Sequence, residues 1–143
     1  MTTFCTKSDI ESILSAALVA RAVDDDEDGG VSAEEDAAID AAIRRAAGTI
    51  HAYLGSRYDL ASLADNVFLR DANAMLAAQA LTSRRGNAAP AGVQQQAEVI
   101  ETRLVEMQAG RQRLPGAVES HDQSPQAVNF DVDLGRDDKI RAV

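Results

Sequence analysis

Asp24–Arg57 reads DDDEDGGVSAEEDAAIDAAIRRAAGTIHAYLGSR. An acidic, glycine-broken loop runs straight into an alanine-rich segment. Ser32 and Glu35 have the spacing of a capping box, so the helix is expected to begin near Ala33. Glu34, Glu35 and Asp36 then lie in its first turn, where the helix dipole favours negative charge. Ile39, Ile43, Ala46, Ile50, Tyr53 and Leu54 recur at helical spacing and form the longest apolar stripe in the chain, ended by Gly55-Ser56. Gly48 costs up to about 1 kcal/mol in a helix interior relative to alanine, and predicts a close helix crossing there.

Outward from this stretch, the remaining chain is also helical in pattern. Upstream, Ser8 and Glu11 form a second capping box, and Ile10, Ile13, Leu14, Ala17 and Leu18 predict one helix over about 9–21, with Phe4 packed before its first turn. Downstream, Asp65 or Asn66 caps a helix whose face is Phe68, Leu69, Ala72, Met75, Leu76, Ala80 and Leu81, and which stops at Arg84-Arg85-Gly86-Asn87. After Pro90, Val93, Ala97, Ile100, Leu104 and Met107 make a narrow stripe, so the fourth helix packs along one side only. Beyond Leu114-Pro115-Gly116 the pattern changes. Val128, Phe130, Val132 and Leu134 alternate with polar residues, as in a half-buried strand. A lone strand cannot satisfy its backbone groups within such a monomer, so the alternation points to strand addition to a neighbour. The competing account is a disordered tail whose alternation is accidental.

Composition agrees with an all-α fold. Of 143 residues 45% are apolar and only 3% aromatic, and much of the apolar count is alanine, which suits close-packed helices and fills a sheet interior poorly. The net charge of −9 is local: Asp24–Asp36 holds eight acids and no base, leaving fifteen acids against fourteen bases elsewhere. That balance argues against indiscriminate binding to phosphate backbones. Arg44-Arg45 and Arg84-Arg85 read as solvated helix surface, or else as a small DNA-binding patch. Cys5 is the single cysteine, which excludes an intrachain disulfide and a cysteine metal site. No signal peptide pattern opens the chain, and no apolar run approaches the roughly 20 residues needed to cross a bilayer. Without a Ser/His/Asp, Cys/His or HExxH arrangement or a phosphate-binding glycine loop, an enzyme is not expected. His51 reads as a boundary residue of the apolar stripe.

Two chemistries compete for the loop. Position by position it fits an EF-hand-type calcium loop: Asp24, Asp26 and Asp28 in the first, third and fifth places, Gly29 at the sharp turn, the Gly30 carbonyl, Ser32 through water, and Glu35 as the bidentate last ligand. The same Ser32 and Glu35 are already accounted for as a helix cap, and acids at a helix N-terminus need no metal. No second such loop exists to pair with it.

The order of these features resembles a known family. Thr6, Asp9 and Ile10 open a short helix, an Asp/Gly-rich loop follows, and then comes Ala41-Ala42-Ile43, Ala46-Ala47, Ile50, Tyr53-Leu54 with Gly55 and Arg57-Tyr58. Over residues 6–110 this is similar to the small head-completion or head–tail connector proteins of tailed bacteriophages, Mu-like members included. The resemblance implies a structural virion protein of the neck, assembled in the host cytoplasm. It implies a homo-oligomeric ring, twelvefold on the portal protein, meeting a tail-side neck or terminator protein. Genome DNA would pass through the channel without sequence-specific binding, and no membrane is involved. The expected architecture is a four-helix bundle over 1–116 with an extended arm over 117–143, able to add a β-strand to a neighbouring subunit. The alternative is a module with a single EF-hand-like Ca2+ loop.

Overall fold

The structure, a computed structural model, describes residues 1–29 and 32–118. Within them the fold is all-α. Its helices are α1 (Lys7–Leu14), α2 (Ala16–Val23), α3 (Ala33–Leu54), α4 (Val67–Thr82) and α5 (Ala91–Gln108), with 3₁₀ turns at Leu60–Leu63 and Arg84–Gly86. The strand expected at Val128, Phe130, Val132 and Leu134 lies outside the described residues, as does nearly all of the arm.

The single first helix expected over 9–21 is two helices, which corrects the four-helix count. Ser15 separates them, with φ at 92°, and its hydroxyl accepts from the Leu18 N–H at 3.2 Å to cap α2. The reason is register. Ile10 and Leu14 are buried in α1, Val19 and Val23 in α2. The step from 14 to 19 is five residues, which in one continuous helix would swing the second pair off the core by more than a third of a turn. The break restores both pairs to the core, at the cost of a non-glycine residue in a sparsely populated conformation. The first cap also lies earlier than Ser8: the Thr6 N–H donates to Asp9 Oδ2 at 2.8 Å.

α3 begins as expected. The Glu35 N–H donates to Ser32 Oγ at 3.2 Å, and the Ser32 N–H donates back to Glu35 Oε1 at 2.8 Å. Ile39, Ala42, Ile43, Ala46, Ala47, Ile50 and Leu54 form its buried face. Gly48 is not at a helix crossing. A Cβ there would meet only the Met1 side chain, at an ordinary 3.7 Å.

α4 is the central element and packs against each of the other four helices. Every residue from Ala72 to Ala78 is buried. Four of those seven are alanine, whose small side chains let neighbours approach from several sides. One of the others is polar. Asn73 is fully buried, accepting from the Phe4 N–H at 2.8 Å and donating to the Ile43 carbonyl at 3.0 Å. It thereby ties the N-terminal segment and α3 to the core helix. Phe4 is buried too, and its ring stacks on His51 at 5.6 Å, while His51 Nε2 lies 2.9 Å from the Thr2 carbonyl. His51 is thus a boundary residue that clamps the N-terminal segment.

The same segment buries Cys5. Burial first, and the Asp9 charge second, push its thiol up to about 12. A thiolate is the reactive form, so iodoacetamide is expected to label native Cys5 far more slowly than the urea-unfolded chain. Equal rates in the two states would place the thiol at the surface.

α5 closes the bundle along one side, burying Val93, Ala97, Leu104 and Met107. The chain then turns back. Leu114 is buried, its N–H donating to Tyr58 Oη at 3.1 Å, and Asn66 Nδ2 donates to the Pro115 carbonyl at 2.7 Å. Asn66 also caps α4 through the Leu69 N–H at 3.1 Å. The chain beyond α5 is therefore anchored beside the start of α4.

Candidate functional site

The acidic loop begins where α2 ends and is closed by its own carboxylates. Asp24 accepts from the N–H groups of Asp28 at 3.1 Å and Gly29 at 3.0 Å, and Asp26 Oδ1 lies 3.3 Å from the Asp28 N–H. Gly29 turns the chain with φ at 82°, a conformation that favours glycine. Glu35, only 4% exposed, holds both ends of the loop: Oε1 takes the Ser32 N–H, and Oε2 takes the Asp25 N–H at 2.9 Å.

This folding brings four of the expected ligands together. Asp24, Asp26, Asp28 and Glu35 each offer a carboxylate oxygen within 4.8 Å of the others. Oxygens bound to one calcium ion at about 2.3–2.6 Å lie within roughly 5 Å of each other, so the donor set fits a hard cation. Each oxygen that accepts one N–H keeps a second lone pair for a ligand bond. Ser32 is engaged as the α3 cap, and Gly30 lies outside the described residues. The convergence has an electrostatic cost. Asp26 is raised above the usual aspartate range, first by desolvation and then by Asp24, Asp28 and Glu35, against the opposing Asp28 N–H.

Asp25, between two of these acids in sequence, points elsewhere. Asp25 receives Arg84 through two bonds, Nη1 at 3.2 Å and Nη2 at 3.0 Å, and Arg85 Nη1 at 3.1 Å. Arg84 Nη1 also donates to the Ala22 carbonyl at 3.1 Å, at the end of α2. Chiefly through the Arg84 hydrogen bond, Asp25 is held below the usual aspartate range. The arginine pair that reads as solvated surface in sequence is thus a clasp fastening the loop to the end of α4. Opposite charge was the only sequence signal for it, and charge alone does not choose Asp25 among its neighbours. Arg44 and Arg45 are exposed on α3.

No helix among the described residues is long and apolar enough to cross a membrane. Compared with known families, the chain matches Bacteriophage Mu, Gp36, over residues 4–132. No curated protein matches it. The match spans nearly the whole chain, so the protein belongs to the Bacteriophage Mu Gp36 family and is a phage structural or assembly protein.

Proposed function

We propose that this member of the Bacteriophage Mu Gp36 family is a head-to-tail connector. It forms a ring beneath the portal, in the neck of the virion, and joins the head to the tail-side proteins. It acts by binding and not by catalysis. The observation that carries the reading is family membership across residues 4–132. The anchored exit of the chain supports it. Leu114 and Pro115 are held by Tyr58 and Asn66, so the chain beyond α5 is fixed against the bundle at that point. Deleting 127–143 is expected to leave the helical circular dichroism and the melting temperature unchanged while abolishing assembly onto the portal. A truncated chain that assembles normally would count against the arm's role.

A second reading is favoured by the convergence of four carboxylates. In it the loop holds a calcium ion that offsets their mutual repulsion and stiffens the entrance to α3. Calorimetry is expected to show one calcium site per chain, in the range of about 10⁻⁵ to 10⁻³ M spanned by the weaker loops of this type. The site is expected to be lost in Asp24→Ala, and in Asp26→Asn, where the exposed side chain keeps its shape. Absence of heat at millimolar calcium would leave the loop as a helix cap alone.

A further inference from the structure

The outward face of α3 carries an acid and a base one helical turn apart. Ala37, Ala41, Arg44, Gly48 and Ala52 share that face by helical spacing, with Asp40 along one edge one turn before Arg44. Ala37, Asp40, Arg44 and Ala52 are exposed. Among the described residues no ion pair engages Asp40 or Arg44. The two line a cleft of about 440 Å³ with Met1, Thr3, Cys5, Thr6, Lys7 and Ile43; Lys7, bonded to Asp36, also feels the Asp40 charge without pairing with it. Charge on the helix is polarised: Glu34, Asp36 and Asp40 precede its middle, and Arg44 and Arg45 follow it.

We propose that α3 pairs antiparallel with α3 of a second copy, about a two-fold axis near residue 42. Asp40 of each copy then meets Arg44 of the other. The two side chains lie on the same side of the helix face, and a two-fold axis in the contact plane keeps that side in register, so both cross-pairs form at once. A parallel arrangement would set Asp40 against Asp40. Ala37 and Ala41 beside the charges are small enough for the axes to approach closely, while Gly48, further along the face, lies under the Met1 side chain. One helix face is small beside the roughly 1,600 Å² of a standard interface, so the pair is weak, concentration-dependent and sensitive to salt. The inference does not rest on the connector reading. A two-fold pair closes on itself, whereas a ring needs head-to-tail contacts, and particle mass separates the two.

Sedimentation equilibrium of the full chain tests it, over roughly 10–500 μM, the range suited to a small contact. A monomer–dimer equilibrium is expected. D40R gives each face two cations and R44D gives it two anions, so each alone should weaken self-association about tenfold or more. An equimolar mixture of the two variants should associate again, because every cross-pair then joins opposite charges, and the D40R/R44D double variant should recover likewise. Circular dichroism checks that these surface changes leave the fold intact. A chain monomeric throughout, a dimer indifferent to both variants, or a mixture that stays apart would overturn the pairing.

Discussion

Asn73→Ala is expected to destabilise the fold by about 2–4 kcal/mol, because it strands the buried Phe4 N–H, removes a second donor from the Ile43 carbonyl and opens a small cavity. In the native chain the amide is fully buried and bonded at both ends, to the Phe4 N–H and the Ile43 carbonyl. After truncation the Phe4 N–H has lost its acceptor in a dry site. For a domain of this size that corresponds to a fall in melting temperature of roughly 10 °C. Because the bond fastens the N-terminal segment, Cys5 should also become easier to alkylate in the variant. Asn73→Asp keeps an acceptor for Phe4 but sets a carboxylate against the Ile43 carbonyl, and should be no better tolerated. A cost under about 1 kcal/mol would show that the segment is held by Phe4 packing and not by the amide.

Glu35→Ala should cost about 2–3 kcal/mol, combining the lost half of a capping box with a second buried acceptor. Its carboxylate is the one group that touches both ends of the acidic loop, through the Ser32 and Asp25 N–H groups. Hydrogen exchange should therefore speed up at both amides, while the middle of α4 stays protected. Glu35→Gln keeps one acceptor of the same reach and should lose about half as much. Equal loss in both variants would mean that charge, through the helix dipole, outweighs the hydrogen bonds.

These two residues mark what could and could not be read from sequence. Glu35 was legible twice over, as the cap of α3 and as a ligand-type acid, because both signals depend on short spacing. Asn73 was not. It sits among alanines on a helix whose apolar stripe is read without it, and its partners lie 69 and 30 residues away. The Arg84–Asp25 clasp is hidden for the same reason, with 59 residues between its ends. The Ser15 break left a trace: Val19 and Val23 follow Leu14 out of step, and choosing Ala17 and Leu18 as the continuing face conceals it. Of those two, Ala17 is exposed and Leu18 only half-buried. Local chemistry thus announced α3, α4 and α5, the caps of α3 and α4 and the acidic cluster, but not the break and the cap of the first two helices. Long-range polar contacts, which decide how the N-terminal segment and the loop dock, carry no periodic signature.

The loop itself has a double character. Asp25 is lowered by Arg84, so its contribution to stability is present above its unfolded pKa and fades as pH falls through the lower folded one. Asp26 is raised, so its ionised form opposes folding at neutral pH, and protonation relieves that strain as pH falls. Mild acid therefore loosens the repulsion in the cluster before it breaks the clasp.

The proposed connector role is tested most directly by electron microscopy of the full chain mixed with the portal of a Mu-type phage. A ring is predicted, seated coaxially on the portal's tail-side end with one copy of this chain per portal subunit. Portals that remain bare in the presence of excess chain would contradict the account.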